Sequence, residues 1–150
     1  MKNFIRWIMI EPVFDQLQKE KFYEWISPRA DIEVDDYTTI GFVDGEQIVG
    51  VILFCNYDGN NIYVHIAAEY PGAVQRKFIR LMFDYIFNQA KCQRVTATCL
   101  ANKKRSQKLI EGVGFKKEGL LKNFVRKDDT LYDIIIYGMQ KEDCKWVTYQ

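Results

Sequence analysis

The chain has 150 residues, of which 48% are hydrophobic, 15% aromatic and 27% charged, and its formal net charge is +1. A domain of this length can bury roughly two-thirds of its unfolded surface, so it needs no metal or disulfide to stabilise the fold, and its composition is not that of a disordered chain. The near balance of 21 basic and 20 acidic residues disfavours a nucleic-acid-binding protein that relies on bulk positive charge.

The sequence predicts neither a membrane span nor a secretion signal. Its longest apolar stretch, Ile48–Cys55, is far shorter than the roughly 20 residues of a spanning helix, and Met1–Trp7 lacks the apolar core and cleavage site of a signal peptide. The four cysteines include no Cys-x-x-Cys pair and the chain has one histidine, so no zinc site is predicted. We therefore expect a cytoplasmic protein with reduced thiols and no metal.

The hydrophobic pattern begins with a short strand and an amphipathic helix. Phe4–Ile10 is apolar and stops at Glu11-Pro12, which is typical of a strand. Apolar residues then recur at helical spacing, and Pro28 is expected to end this helix. The apolar helical positions are Phe14, Leu17, Phe22, Trp25 and Ile26.

Three strands are predicted to follow as a meander: Tyr37–Val43, Gln47–Tyr57 and Asn61–Ala68. Asp44-Gly45 and Asp58-Gly59 supply the turns, and the first is expected to be type I′, which needs positive φ at both central positions. The middle strand is apolar on both faces, which predicts a central position in the sheet. In the third strand Ile62, Val64 and Ile66 share one face, and Tyr63, His65 and Ala67 share the other.

The period of the pattern changes from 2 to 3.6 after Pro71-Gly72, which predicts a long amphipathic helix. Its apolar stripe consists of Val74, Phe78, Leu81, Met82, Tyr85 and Ile86. The strand Arg94–Leu100, a helix that ends at Gly114, and the strands Phe115–Arg126 and Thr130–Gln140 complete the pattern. Because a helical crossover returns the chain in its original direction, Arg94–Leu100 should run parallel to the third strand of the meander.

The predicted order β-α-β-β-β-α-β-α-β-β and one motif point to a known family. The motif is Asn102, Ser106, the apolar pair Leu109-Ile110, and Glu111-x-x-Gly114-Phe115-x-x-Glu118-Gly119. It resembles the GNAT-type N-acetyltransferases, most closely the branch that acetylates ribosomal-protein N-termini and the small acetyltransferase-like proteins of tailed phages and prophages. Val64–Glu69 and the tail Tyr137–Trp146 are also similar to the phage branch.

The resemblance covers nearly the whole chain and implies one GNAT-like domain over residues 1–150. The fold is expected to be an α+β three-layer fold, with a mixed, mostly antiparallel sheet, a central parallel strand pair and helices on both faces. The two parallel strands should splay apart at their C-terminal ends, because the cofactor slot of the family lies between them.

The resemblance further implies acetyl-CoA as cosubstrate. The pantetheine arm would lie between the splayed strands, and the loop Tyr70–Arg76 would face the pyrophosphate at a helix N-terminus. The candidate cofactor-binding residues are Ile66, Ala67, Ala68, Gly72, Ala73, Val74, Gln75, Arg76, Lys77, Asn102 and Ser106.

This sequence departs from the family pattern at two places. Ala73 and Gln75 hold the two small positions of the phosphate loop, and Lys103 stands where the family has its asparagine. The charges of Arg76 and Lys77 could offset part of the lost glycines. The structural alternatives are a solvated basic helix turn and, for Asn102, simple helix capping.

Acetyl transfer to an amine needs a base for the amine proton and a donor for the leaving thiolate. His65 is the only side chain that, unperturbed, is expected to titrate near neutral pH, and Glu69 at the end of the same strand is the other candidate base, directly or through water. Tyr137 and Tyr70 are candidate proton donors. The structural alternative for the histidine and the tyrosines is packing in the core.

We therefore expect an acetyl-CoA-dependent N-acetyltransferase that transfers acetyl directly to an amine: a protein N-terminus, a lysine or a small amine. Cys55 and Cys99 lie in predicted strands without a second histidine-type base, so no acyl-enzyme is expected. The alternative, favoured by Ala73 and Gln75, is a catalytically silent GNAT-fold binding protein of a phage, either a virion component or a modulator of a host protein. The acceptor is not identified by the sequence, and a homodimer is left open.

Overall fold

Alternating apolar residues build a seven-stranded sheet in the computed structural model, which describes residues 9–148. The strands are β1 (Ile10–Val13), β2 (Tyr37–Asp44), β3 (Gln47–Cys55), β4 (Asn61–Ala68), β5 (Arg94–Leu100), β6 (Lys116–Lys127) and β7 (Thr130–Gln140). Their spatial order is β1-β2-β3-β4-β5-β7-β6. Every neighbouring pair is antiparallel except β4 with β5, so the expected mixed sheet with one central parallel pair is confirmed.

Helices cover both faces of the sheet, as expected. They are α1 (Lys19–Ala30), α2 (Arg76–Phe83, continued by a π-helical segment, Asp84–Gln89) and α3 (Lys104–Val113), with 3-10 turns at Gln16–Gln18 and Lys141–Asp143. Phe22 and Ile26 of α1 are fully buried against one face. Phe78 and Met82 of α2 are buried against the other. Within residues 9–148, no helix is long and apolar enough to cross a membrane.

The N-terminal elements differ from the prediction. Most of the predicted strand Phe4–Ile10 lies outside the described residues. The described strand β1 begins at Ile10 and contains Pro12. Proline has no N–H to donate, and an edge strand tolerates it because a neighbouring strand lies on one side only. Phe14 and Leu17 are exposed because they precede the regular part of the helix.

Pro28 does not end α1, which continues to Ala30. A proline has no N–H and its ring crowds the carbonyl four residues before it, here that of Glu24, yet the helix continues for two more residues. The helix stops at Asp31, whose φ of 55° is left-handed, and the N–H groups of Asp31 and Ile32 both donate to the carbonyl of Ser27.

The type I′ turn lies in a different hairpin from the one predicted. Between β2 and β3 the central residues are Gly45 and Glu46, and only Gly45 has positive φ, so type I′ is wrong there. Asp128 and Asp129, between β6 and β7, both have positive φ, at 51° and 60°. Aspartate tolerates this conformation better than most residues, which makes the pair a type I′ turn without glycine.

The buried stripe of the second helix also differs from the prediction. Leu81 is 36% exposed, whereas Ile79 and Phe83 are buried. The π-helical segment that follows adds a residue to the turn and changes the direction of later side chains. As a result Ile86 and Phe87 are both fully buried, while Tyr85 is half-buried against Phe54.

The packing of α1 on β2 predicts a sharp difference between two glycine substitutions. A Cβ at Gly41 would lie 2.1 Å from Cε1 of the fully buried Phe22 ring. We expect Gly41→Ala to lower the free energy of unfolding by about 1–3 kcal/mol, the usual cost of overpacking. Gly112 is exposed on α3, and a Cβ added there would have no heavy atom within 4 Å. Gly112→Ala should therefore raise the free energy of unfolding by about 0.5–1 kcal/mol. Urea denaturation of both variants tests the packing, and equal effects would contradict it.

Candidate active site

The two parallel strands separate soon after they pair. β4 and β5 are paired from Asn61–Arg94 to Tyr63–Thr96 and no further. Beyond that point β4 stays paired with β3 as far as Ala68, and β5 stays paired with β7 as far as Leu100. The expected splay is therefore confirmed, and it leaves a gap between the C-terminal halves of the two strands.

Backbone groups of β4 point into this gap at alternate residues. The N–H of Glu69 donates to the carbonyl of Val49 on β3 at 2.8 Å. Since backbone groups alternate between the two neighbours of a strand, those of Ala67 also face β3, whereas those of Ile66 and Ala68 face the gap. Two of the predicted cofactor residues thus present N–H and C=O groups to the place where β5 is absent, and an extended ligand could pair there as an added strand does.

A cavity of about 70 Å³ lies in the gap and reaches both faces of the sheet. On β4 it is lined by Val64, whose side chain packs in the α2 core, and by His65, which points to the opposite face. The rest of its lining comes from β5, α3 and the end of α1, including Thr98, Cys99, Ser106, Ile110, Arg29, Asp31 and Lys103. A ligand in the gap would therefore contact groups on the α1 face.

His65 is buried and uncharged at neutral pH. Its side chain is only 9% exposed, and burial lowers the pKa to about 4. The pKa therefore lies well below the near-neutral value of an unperturbed histidine, because the sequence shows the residue type and not the loss of solvent around the ring. A neutral imidazole can donate or accept a hydrogen bond toward the cavity, but it binds a proton weakly.

Glu69 lies beside the cavity and not in its lining. Its Oε2 atom is 3.4 Å from Nη2 of Arg29, and both side chains are close to half exposed. The guanidinium of Arg29 also stacks on the Trp25 ring, 3.8 Å from its centroid. This ion pair joins the last turn of α1 to the end of β4, where the gap opens to solvent.

Tyr137 is placed in the core. The side chain is fully buried, and its hydroxyl donates to Oε2 of Glu111 on α3 at 3.1 Å. Burial and this hydrogen bond raise the pKa of Tyr137 above its usual value. Tyr70 is half-buried at the edge of the same core, and its carbonyl accepts from Ala73. Neither tyrosine is among the residues that line the cavity.

The predicted phosphate loop is a tight turn followed by the first turn of α2. The N–H of Ala73 donates to the carbonyl of Tyr70 at 3.1 Å, with Pro71 and Gly72 between them, and Gly72 has a φ of 87° as a type II turn requires. Because its amide is bonded and its side chain is fully buried, Ala73 has no free donor to offer an anion. Val74 is half-buried and would contact any side chain placed at Gly50.

The N-terminus of α2 still provides donors. The carbonyl of Gln75 accepts from Phe78 and Ile79, while the Gln75 side chain forms no cap. This arrangement leaves the N–H groups of Arg76 and Lys77 at the open first turn, with two exposed cationic side chains beside them.

The start of α3 contradicts the capping interpretation of Asn102. The helix begins at Lys104, its cap residue is Lys103, and no side chain caps it. Asn102 is exposed and precedes the cap. Ser106 is half-buried and lines the cavity, so of these two candidates the structure brings only Ser106 to the gap.

A carboxylate that the sequence analysis missed also lines the cavity. Asp31 is only 8% exposed and forms ion pairs with Lys103 and Lys127. Burial by itself raises the pKa of Asp31, but the hydrogen bonds from the two lysines outweigh it and hold the pKa below its usual value. The cluster joins the end of α1, the start of α3 and the tip of the β6–β7 hairpin. No local pattern predicts this cluster, because Asp31 is 72 residues from Lys103 and 96 residues from Lys127 in the sequence.

The buried imidazole predicts a pH dependence of stability. Unfolded histidine titrates near pH 6.5 and folded His65 near pH 4, so between these values the unfolded chain binds a proton that the folded chain does not. Stability should rise with pH across this window, by at most about 1.4 kcal/mol per pH unit from this group. Urea denaturation of the wild type and His65→Gln should show a difference in unfolding free energy that shrinks as the pH falls. A difference that stays constant would contradict the buried neutral ring.

The matches to known proteins agree with this geometry. Residues 2–116 match the model of the GNAT acetyltransferase domain. The chain is 27% identical over 125 residues to the SPbeta prophage-derived uncharacterized N-acetyltransferase YokL of Bacillus subtilis (strain 168), covering 80% of this chain and 70% of that protein. The chain spans 61% of a second curated relative and 60% of one solved acetyltransferase chain.

Solved structures share the fold at low identity. The ribosomal-protein-S5-alanine acetyltransferase of Vibrio fischeri has a TM-score of 0.62 at 17% identity, over 88% of this chain and 73% of that one. The spermidine N-acetyltransferase of Vibrio cholerae, solved with CoA and spermine, has a TM-score of 0.63 at 15% identity, over 84% and 75%. Since the family model matches residues 2–116, which is most of the chain, and the splayed strand pair is in place, the chain belongs to the GNAT acetyltransferase family.

Proposed function

We propose that this chain is an acetyl-CoA-dependent N-acetyltransferase, with residues 1–150 forming one acetyltransferase domain. The gap between β4 and β5 carries the proposal, because backbone groups of Ile66 and Ala68 point into it and a cavity connects it to both sheet faces. An amide-containing arm such as pantetheine matches this edge, since it offers N–H and C=O groups at similar intervals. The solved complex of a family neighbour with CoA supports the same cosubstrate.

The phosphate end of the cofactor would contact the first turn of α2. The N–H groups of Arg76 and Lys77 and their side chains would hold the pyrophosphate, since a helix N-terminus and two cations favour an anion. Gly72 leaves the loop open on one side. Ala73 and Val74 would shape the loop from behind, because their side chains pack in the α2 core. Gln75 would border the phosphate end as the N-cap residue, whose side chain forms no cap.

The acceptor would approach from the α1 face. Direct transfer requires that the amine nitrogen lose a proton as it forms its bond to the acetyl carbon, and that the bond to sulfur break with the electron pair leaving on sulfur. Glu69, at the mouth of the gap, would accept the amine proton directly or through water. His65 would orient the reacting groups as a neutral hydrogen-bonding side chain, because its low pKa makes it a weak base.

The cavity also contains a thiol, but it does not suit covalent catalysis. Cys99 lines the gap, and burial together with the Glu111 carboxylate raises the pKa of its thiol. A protonated thiol is a poor nucleophile. We therefore propose direct transfer without an acyl-enzyme. Tyr137 would protonate the leaving thiolate only after a rearrangement that breaks its bond to Glu111.

The acceptor class is a primary amine, of a protein N-terminus, a lysine or a small molecule. A prophage relative supports a phage origin and action in the cytoplasm, in this case the cytoplasm of a host. The second candidate function is a catalytically silent phage protein that binds a host protein or belongs to the virion. The bonded amide of Ala73 favours it, since the loop has lost one phosphate donor.

Cofactor binding separates the two candidate functions. We expect acetyl-CoA to bind with micromolar affinity, about −8 kcal/mol, and more weakly at high salt because cations hold the phosphates. Arg76→Ala combined with Lys77→Ala should weaken it at least tenfold, whereas Lys122→Ala on the far edge strand should not. Isothermal titration calorimetry measures all three proteins. No heat and no thermal shift at millimolar ligand would exclude the enzyme and favour the silent binding protein.

The assignment of the base predicts how two substitutions affect turnover. With a panel of peptide and polyamine acceptors, Glu69→Gln should lower kcat by about 10²-fold, the usual contribution of a positioned base, while Glu24→Gln on the exposed side of α1 leaves it unchanged. His65→Gln should lower kcat without removing a limb of the pH profile near neutrality, since the ring does not titrate there. Survival of full activity in Glu69→Gln would show that water alone takes the proton.

A further inference from the structure

The C-terminal segment returns to the helices that flank the gap. After β7 and the 3-10 turn, Trp146 packs on the α2 and α3 side of the sheet. Its indole Nε1 donates to the carbonyl of Val113, the last residue of α3, at 2.8 Å. Its ring stacks near Phe83 of α2, with centroids 6.3 Å apart. One side chain thus contacts both helices.

The same ring lies against a cation of the proposed phosphate site. The guanidinium carbon of Arg76 is 5.0 Å from the centroid of the Trp146 ring. A guanidinium donates its hydrogen bonds in its own plane, so an aromatic ring on its face leaves the donors available. Among residues 9–148, no carboxylate forms a described ion pair with Arg76, so its charge is not neutralised there.

We propose that Trp146 is a positioning residue for the phosphate end of the cofactor. Its indole holds the guanidinium of Arg76 beside the first turn of α2, which makes the C-terminal segment part of the surface that binds a diphosphate ester. This inference rests on the proposed function. The loop offers fewer backbone donors because the amide of Ala73 is bonded, so a side chain held in place contributes more of the recognition. Because the Arg76 side chain is already held in place before binding, less side-chain entropy is lost when the anion binds.

Neighbouring Lys77 provides the contrast. Its ammonium lies over the ring of Phe78, 5.0 Å from the centroid, and not over Trp146. Both cations sit on the same helix turn, so removal of the indole should affect the contribution of Arg76 and leave that of Lys77 intact.

A double-mutant cycle on CoA affinity tests this coupling. Trp146→Leu should weaken CoA binding about fivefold, and Trp146→Phe by no more than about twofold, since phenylalanine keeps an aromatic face. Both variants lose the hydrogen bond to Val113, so the difference between them reports the ring alone. In the Arg76→Ala background Trp146→Leu should have no further effect, whereas in the Lys77→Ala background it should keep its full effect. Affinity for pantetheine, which lacks phosphate, should not change.

A surface variant keeps the test decisive if Trp146→Leu does not fold. Arg76→Lys preserves the charge but lacks the planar group, so it should still bind CoA several-fold more weakly, while the matched exchange Lys122→Arg on the far edge strand should bind as the wild type does. The role of Trp146 would be overturned if Arg76→Lys bound CoA as tightly as the wild type does. It would also be overturned if Trp146→Leu weakened CoA binding equally with and without Arg76, or if Trp146→Leu weakened the binding of pantetheine. Failure of the wild type to bind CoA would instead overturn the proposed function itself, and the inference with it.

Discussion

The separation of β4 from β5 is the constraint on which the rest of the site depends. Had the two strands stayed paired to their ends, the backbone groups of Ile66 and Ala68 would be satisfied and no passage would join the two faces. The sheet tolerates the separation because each strand keeps its outer neighbour, β3 for β4 and β7 for β5. Only the inner edges lose partners, and unpaired backbone groups at that depth favour a ligand or water that can bond to them.

Different forces hold the two sides of this gap. On the α2 and α3 side, apolar packing dominates, with Phe78, Met82 and Phe83 fully or almost fully buried. On the α1 side, charged side chains make the connections: Arg29 with Glu69, and Asp31 with two lysines. In the proposed function this asymmetry suits a cofactor arm that enters from one side and a charged amine that arrives from the other.

Several features of the fold follow from local sequence, and the exceptions have identifiable causes. The bounds of β4, β5 and β7 match the predicted strands because alternation and flanking turn residues define them locally. The end of α1 does not, because the backbone bonds of Asp31 and Ile32 to the Ser27 carbonyl continue the helix past Pro28. The π-helical segment after α2 is not predicted by the hydrophobic pattern, because that pattern assumes 3.6 residues per turn throughout the helix. The type I′ turn lies at Asp128-Asp129, which the sequence did not predict because the usual glycine is replaced by aspartate.

For the site, the sequence by itself determined the element order, the parallel strand pair and the helix N-terminus with its two cations, because these depend on periodicity and short-range chemistry. Only the tertiary structure decided the ionisation of His65, the burial of Tyr137, the ion pairs of Asp31 and the contact of Trp146 with Arg76. Each of these depends on which distant residues remove solvent or supply a partner: 70 residues separate Arg76 from Trp146, and 96 separate Asp31 from Lys127. A local pattern carries no information about such pairs, since solvation and charge pairing are properties of the assembled core.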